Sequence, residues 1–442
     1  MKFTDGFWLL KNGVKPYYGL QVVQATSDET GYNLQVSTRP IRHRGDTLGG
    51  VVGVRIDHFS HVEPFPNIPL FPDAKPIPDV SIKRDESKLS LSTGGLRAEI
   101  TENPYTITFK SPKRILTFAG EKHQALFDVP SKWTLGSASN TSCLTNDLAS
   151  NPNPAPLPPI IRYINSELNI SPGELIYGFG EQFTALIKNG QAIKIWNQDG
   201  GTSSEQAYKC IPFYITNRNY GVFINHPGEV EVEVGSEKVS RVGVSVAVWL
   251  LLFEMQVKID VFSWLDPGEI YPNDWSSCPF TKLDLWIVAF NVVPNVLFER
   301  YVRVFHLDCF WMKQYEWCSF TFDPDNFPDP KRWDLWQPGL AIVDVTNPAA
   351  RKWYTDRLSI LLDLGIDAFK TDFGERIPHA SVVFHDGSNP MRIHNTYAVI
   401  YNEMVFDLLQ KRFGEGEAVL FARSSATGGQ RLKLISTLVL DS

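Results

Sequence analysis

Along the first half of the chain, apolar and polar positions alternate. Short runs rich in Val, Ile, Thr and aromatic residues recur, among them Leu20–Val23, Gly50–Ile56 and Tyr105–Phe109, with Gly, Pro and Asn between them. Period-two alternation bounded by turn residues reads as half-buried strands. No helical period is sustained before about residue 240, so residues 1–243 are expected to form an all-β sandwich. Within it, the Pro-rich stretch Asn151–Pro159 reads as a surface loop. Residues 244–301 differ. Trp249–Phe253 is apolar throughout and Phe262–Phe290 has no clear period, which suggests an atypical connecting segment.

From residue 302 the pattern turns to alternating strands and helices. One helix is expected after Asn347, a candidate cap, with Pro348 in its first turn and Gly365 just past its end. A second runs from about Asn395 to Arg412, with Ala398, Tyr401, Val405, Leu408 and Leu409 on one face. Strands are expected near Val304, over Ala341–Thr346, near Ile366 and at Ala418, with Lys433–Leu440 a candidate fifth. The strand at Ile366–Phe369 runs directly into a charged cluster, where Lys370, Asp372, Glu375 and Arg376 fall within seven positions before Pro378. A helix feeding a strand whose C-terminal end carries carboxylates is the layout of an α/β-barrel active site. A surface ion-pair loop would give the same charge spacing.

Composition narrows the function classes. At 442 residues, more than one domain is expected. A net charge of -7 argues against a nucleic-acid or anionic-membrane surface. The 12 Trp and 28 Phe are mostly core material, although aromatic faces also suit sugar rings. The five cysteines (143, 210, 278, 309 and 318) form no CxxC pair, so reduced thiols and a cytoplasmic location are expected. The N-terminus lacks the apolar stretch of a signal peptide. The most apolar run, Val244–Phe253, is about half of the ~20 residues needed to span a bilayer, so no membrane partner is expected. No cofactor is expected, and a homo-oligomer is left open.

The wording of several stretches goes further. Phe369-Lys370-Thr371-Asp372-Phe373-Gly374-Glu375-Arg376-Ile377-Pro378 resembles glycoside hydrolase family 31, and most closely its bacterial-type α-xylosidase branch. Tyr177–Phe183 matches the family's Gly-x-Gly-Glu signature, and Trp196–Thr202 matches a loop that reaches over the pocket. Phe305–Met312, Trp333–Thr346 and Ala418–Ser425 are similar as well. The resemblance implies an N-terminal sandwich of the galactose-mutarotase type followed by a (β/α)8 catalytic barrel over residues 302–442. It implies retaining hydrolysis of α-xylosidic or α-glucosidic bonds, with an oligosaccharide or α-xyloside as substrate. In the family, the position of Asp372 is the nucleophile. Asp308 and Arg423 would contact the sugar in the -1 subsite, and Cys309 and Phe310 would occupy the room that a glucose hydroxymethyl group needs. Trp336 is either a pocket wall or core, and Asp199 is either a sugar contact at the rim or a turn-capping residue.

Retaining hydrolysis uses two carboxyl groups about 5–5.5 Å apart, one attacking the anomeric carbon and one protonating the leaving oxygen. Lys370 lies on the same strand face as Asp372, and Arg376 is close in sequence. Nearby positive charge favours the ionised carboxylate that a nucleophile needs. Glu375 is therefore expected to orient a neighbour or a hydroxyl. The family's acid/base Asp, in a Trp-Gly-Gly-Asp motif about a dozen residues beyond the Arg-Ser block, has no counterpart after Gln430. The 140 residues from 303 to 442 are also few for a barrel of ~250, so an incomplete barrel in a fragment or mis-spliced chain is expected. One alternative is an inactive carbohydrate-binding remnant. Another is a metal-dependent hydrolase using His306, Asp308 and Asp372, but no CxxC or HxxxH ligand spacing accompanies these residues, so no metal is expected.

Overall fold

A computed structural model describes residues 1–6, 9–29, 31–43, 51–58, 80–85, 88–93, 95–135, 159–198, 206–226, 228–248, 254–263, 282–291, 304–306, 343–375, 377, 383–432 and 435–436. The chain divides into two compact units: residues 1–138, 157–196 and 200–296 form one, and 139–156, 197–199 and 297–442 the other.

The first unit is built from three sheets. Five strands, Val80–Asp85, Lys88–Thr93, Leu96–Glu102, Tyr105–Lys110 and Ile115–Ala119, pair in sequence order as an antiparallel meander. Period-two patterning sets their register: Tyr105, Ile107 and Phe109 are buried, while Thr106 and Thr108 are half-buried. A six-stranded sheet is centred on Ile160–Asn169, which lies between Gln124–Pro130 and Arg241–Val248 and is buried along most of its length. An eight-stranded sheet completes the unit, and one apolar core draws on all three sheets.

The described parts of 244–301, expected as a connecting segment, contribute strands instead. Glu254–Ser263 and Lys282–Asn291 pair in parallel inside the eight-stranded sheet, and the first also pairs in parallel with Val51–His58. The absence of a period did not exclude a strand, because a short continuous apolar run also suits one. Leu285 to Phe290 is an unbroken apolar run of the length and composition of a strand inside a sheet.

In the second unit, β1 (Val304–His306), α1 (Pro348–Asp363), β2 (Ala368–Thr371), α2 (Pro390–Phe413), β3 (Leu420–Ala422) and β4 (Ile435–Ser436) follow in order. The strands form one parallel sheet in the order β1-β2-β3-β4. The Asn347 side chain accepts a hydrogen bond from Ala349 N, with Pro348 in the first turn of α1, as its sequence predicts. Packing explains why so short a sheet persists. Leu358 and Leu362 of α1, Met404, Val405 and Leu409 of α2, and Phe369 and Leu420 of the strands are buried together.

The strand expected over Ala341–Thr346 does not form in its described part. The Asp344 carboxylate accepts from Thr346 N and Oγ, turning the chain into the α1 cap, and Val345 is buried against Ile377, Phe384, Ile393 and Tyr397. The second helix starts at Pro390, before the expected Asn395.

Candidate active site

The C-terminal ends of β2 and β3 bring four of the expected residues together. β2 delivers Lys370 and, one residue past its end, Asp372. β3 delivers Arg423, whose backbone N–H donates to Thr371 O at 3.0 Å and so extends the parallel ladder to the residues that matter. Asp372 lies between two cations, with Lys370 Nζ 3.5 Å from Oδ2 and Arg423 Nη1 3.4 Å from Oδ1. The other arm of the guanidinium, Nη2, is 2.8 Å from Glu375 Oε1. Arg423 thus divides its two ends between two carboxylates, a use of the planar fork that a lysine could not reproduce. Its Cζ also lies 4.3 Å from the Phe373 ring centroid, a cation–π contact.

The two carboxylates differ in access. The Asp372 side chain is 13% exposed, whereas that of Glu375 is fully buried. A buried carboxylate facing a guanidinium holds that cation in place, while a partly open one can meet a ligand.

Local backbone geometry creates the difference. After β2 the chain reverses through Phe373 at φ +57° and Gly374 at φ +109°. A Cβ on Gly374 would lie 3.2 Å from Ala398 Cβ and 3.3 Å from its Cα, so glycine is required by both conformation and space. This close approach to α2 turns Glu375 inward. Asp372 stays at the strand end, where its Oδ1 also accepts from Phe373 N at 3.1 Å.

Polar side chains of α2, which its apolar stripe did not reveal, complete the surroundings. Thr371 Oγ1 donates to Asn402 Oδ1 at 2.6 Å, and Asn402 Nδ2 donates to Ser424 O at 2.8 Å. Further along α2, Asn395 Oδ1 accepts from Asn197 N and His394 Nε2 donates to Asn197 O, while Asn197 Nδ2 donates to Ser425 O. Asn197 therefore anchors the described part of the Trp196–Thr202 loop; Asp199 lies outside the described residues, as do Asp308, Cys309, Phe310, Trp336 and Arg376. Burial, followed by the neighbouring Tyr354 phenol, pushes Tyr401 well above the ordinary tyrosine value, and the charge of Asp372 adds to the shift. The signal for Asn402 was present in the sequence: it sits four residues after Ala398, a polar residue inside an apolar stripe.

Among the described residues, no group of three His, Cys, Asp or Glu side chains could hold a metal ion. None of the described helices is long and apolar enough to cross a membrane.

A parallel β/α sheet with a cation-flanked carboxylate at a strand's C-terminal end has the layout of a β/α-barrel active site. Comparison with known proteins gives the family. The glycosyl hydrolase 31 N-terminal galactose mutarotase-like domain matches residues 48–233, and the glycosyl hydrolases family 31 TIM-barrel domain matches residues 332–436. The chain belongs to glycosyl hydrolase family 31. It is 34% identical to an α-xylosidase of Emericella nidulans, over 98% of this chain and 63% of that protein. An α-xylosidase of Lactiplantibacillus pentosus is 33% identical, over 96% of this chain and 61% of its own length. The chain thus spans less than two thirds of either relative. The cycloalternan-forming enzyme of Listeria monocytogenes shares the fold with a TM-score of 0.57 at 14% identity, over 94% of this chain and 45% of that one.

Proposed function

We propose that this chain carries the nucleophile side of a retaining α-glycosidase site whose substrate is an α-xyloside. The observation that carries the reading is the partly open Asp372 carboxylate held between Lys370 and Arg423 at the end of a parallel strand. In the first step an Asp372 oxygen attacks the anomeric carbon, and the glycosidic oxygen leaves with a proton from a carboxylic acid. The resulting glycosyl ester is then hydrolysed by water, which returns the carboxylate. Lys370 and Arg423 hold the Asp372 carboxylate in place at the strand end. Glu375, closed to solvent, acts on Arg423 rather than on substrate.

The substrate class rests on the α-xylosidase relatives and on the Cys309-Phe310 pair, which would fill the space of a C6 hydroxymethyl group. Asp308, Trp336 and Asp199 would line the sugar subsite. The four parallel strands are read as part of a (β/α)8 barrel that residues 302–442 carry incompletely, preceded by a sandwich over 1–243 whose eight-stranded sheet also takes in Glu254–Ser263 and Lys282–Asn291. The cysteine usage suggests a cytoplasmic protein.

The test is incubation with 5-fluoro-α-xylosyl fluoride, followed by intact mass measurement and peptide mapping. Fluoride departs without needing a proton, so labelling is independent of the acid, whose loss costs 10²–10⁴-fold for poorer leaving groups. One 5-fluoroxylosyl ester on Asp372 is expected, and none in an Asp372→Asn variant. The corresponding glucosyl reagent should label more slowly, by about 10- to 200-fold if one extra hydroxymethyl group clashes. A label on Glu375 would overturn the roles, and equal labelling by both reagents would make the substrate a glucoside.

A further inference from the structure

We infer that Asn402 is a positioning residue that sets the distance between Asp372 and Arg423; the inference rests on the nucleophile reading above. These two residues come from different strands, and each strand is short, with four residues in β2 and three in β3. Backbone pairing alone holds strand ends loosely, because terminal hydrogen bonds fray first. The Asn402 amide spans this weak point from α2. Its Oδ1 accepts from the hydroxyl of Thr371, the residue immediately before Asp372. Its Nδ2 donates to the carbonyl of Ser424, the residue immediately after Arg423. One rigid side chain thus ties together the two backbone positions that bracket the ion pair.

Three features argue that this is more than a satisfied core amide. Asn402 is 1% exposed and Thr371 is 2% exposed, so water does not compete for either bond. The same hydroxyl also lies 3.4 Å from Phe421 O of β3, giving Thr371 contacts with both α2 and the neighbouring strand. The ion pair being set is long, at 3.4 Å, so a small shift of either strand end would change it. Displacements near 1 Å in a site can cost about 10²-fold in rate.

The experiment compares the native chain with Asn402→Leu, Thr371→Val and Thr371→Ser. Leucine and valine keep shape and remove the bonds, while serine keeps the hydroxyl. The first readout is the rate of Asp372 labelling by 5-fluoro-α-xylosyl fluoride as a function of reagent concentration. The limiting rate is expected to fall about 10- to 100-fold in Asn402→Leu and Thr371→Val. The half-saturating concentration should change by less than about threefold, and Thr371→Ser should recover most of the rate. The second readout is amide exchange in peptides covering 368–375 and 420–425 against one covering α1. Exchange should accelerate in the two strand-end peptides of Asn402→Leu while α1 stays protected, whereas general destabilisation would raise all three.

Unchanged labelling in Asn402→Leu, or exchange rising equally in α1, would overturn the inference. If even the native chain takes no label, the nucleophile reading fails, and the exchange pattern alone then decides whether the clamp exists.

Discussion

At the scale of single residues, the site turns on how Arg423 is shared. Glu375 has no solvent access, and its Oε1 faces Arg423 Nη2 at 2.8 Å. Removing one partner of a buried ion pair leaves a charge in a medium that solvates it poorly, at a typical cost of 3–5 kcal/mol. Arg423→Met should therefore destabilise the second unit by about 3 kcal/mol, a larger effect than a surface arginine would show. Adding Glu375→Gln removes the stranded charge, so the double variant should recover a substantial part of that loss. Urea unfolding of the two single variants and the double variant measures the coupling. Additive losses would mean that Glu375 and Arg423 do not depend on each other. Arg423, Asp372 and Lys370 were all legible in the sequence, because short-range charge spacing and motif wording name residues directly. The difference in solvent access between the two carboxylates was not legible. It depends on the reversal at Phe373 and Gly374 and on the approach of Ala398, which is a long-range contact.

At the scale of elements, helix ends show what local chemistry can and cannot announce. Asn347 followed by Pro348 marks the start of α1, and the structure begins the helix there. The same pair, Asn389-Pro390, opens α2, but the apolar stripe begins several residues later and drew the expected start to Asn395. The first turn of α2 is therefore specified by its cap rather than by burial. Asn389 Oδ1 accepts from Met391 N at 2.9 Å. Asn389→Ala should cost about 1 kcal/mol, and Asn389→Asp should cost little, because aspartate caps equally well. Thermal melts of both variants check this, and equal losses would show that the cap bond is not what holds the turn. Strand identity was harder to read than helix identity. β1 to β4 have two to four residues each, and their paired residues lie from 14 (Phe421 with Ile435) to 64 (Val304 with Ala368) positions apart. In the described part of the strand expected over 341–346, residues 343–346, Asp344 makes a turn instead, since its carboxylate bonds Thr346 locally before any ladder can form.

At the scale of the whole molecule, a buried histidine in the first unit links stability to pH. His123 is buried and packs against the Phe118 ring, with centroids 6.0 Å apart. Its surroundings are charged: Glu167 forms ion pairs with both Lys238 and Arg241. Burial, followed by the Arg241 charge, pushes the imidazole down from 6.5 to about 4, with Lys238 adding to the shift while Glu167 opposes it. The folded chain therefore holds His123 neutral over a range in which the unfolded chain protonates it. Between pH 6.5 and about 4, the unfolded state binds the extra proton, so this residue's contribution to stability declines as pH falls through that window. Above pH 6.5 both states are neutral, and the contribution is complete. Many carboxylates titrate in the same range, so the native chain's acid sensitivity cannot be assigned to His123 directly. The pH dependence of the difference between the native chain and His123→Phe isolates it, because the variant keeps an aromatic ring. The imidazole's lost hydrogen bond to the Glu167 backbone adds a constant offset while the ring is neutral. Nδ1 has no hydrogen-bond partner among the described residues, so phenylalanine breaks no bond at that atom. Urea unfolding of the two proteins at pH 7.5, 6, 5 and 4.5 should show the variant gaining stability relative to the native chain as the pH drops. A stability difference that stays constant from pH 7.5 to 4.5 would mean that His123 titrates alike in the folded and unfolded chains.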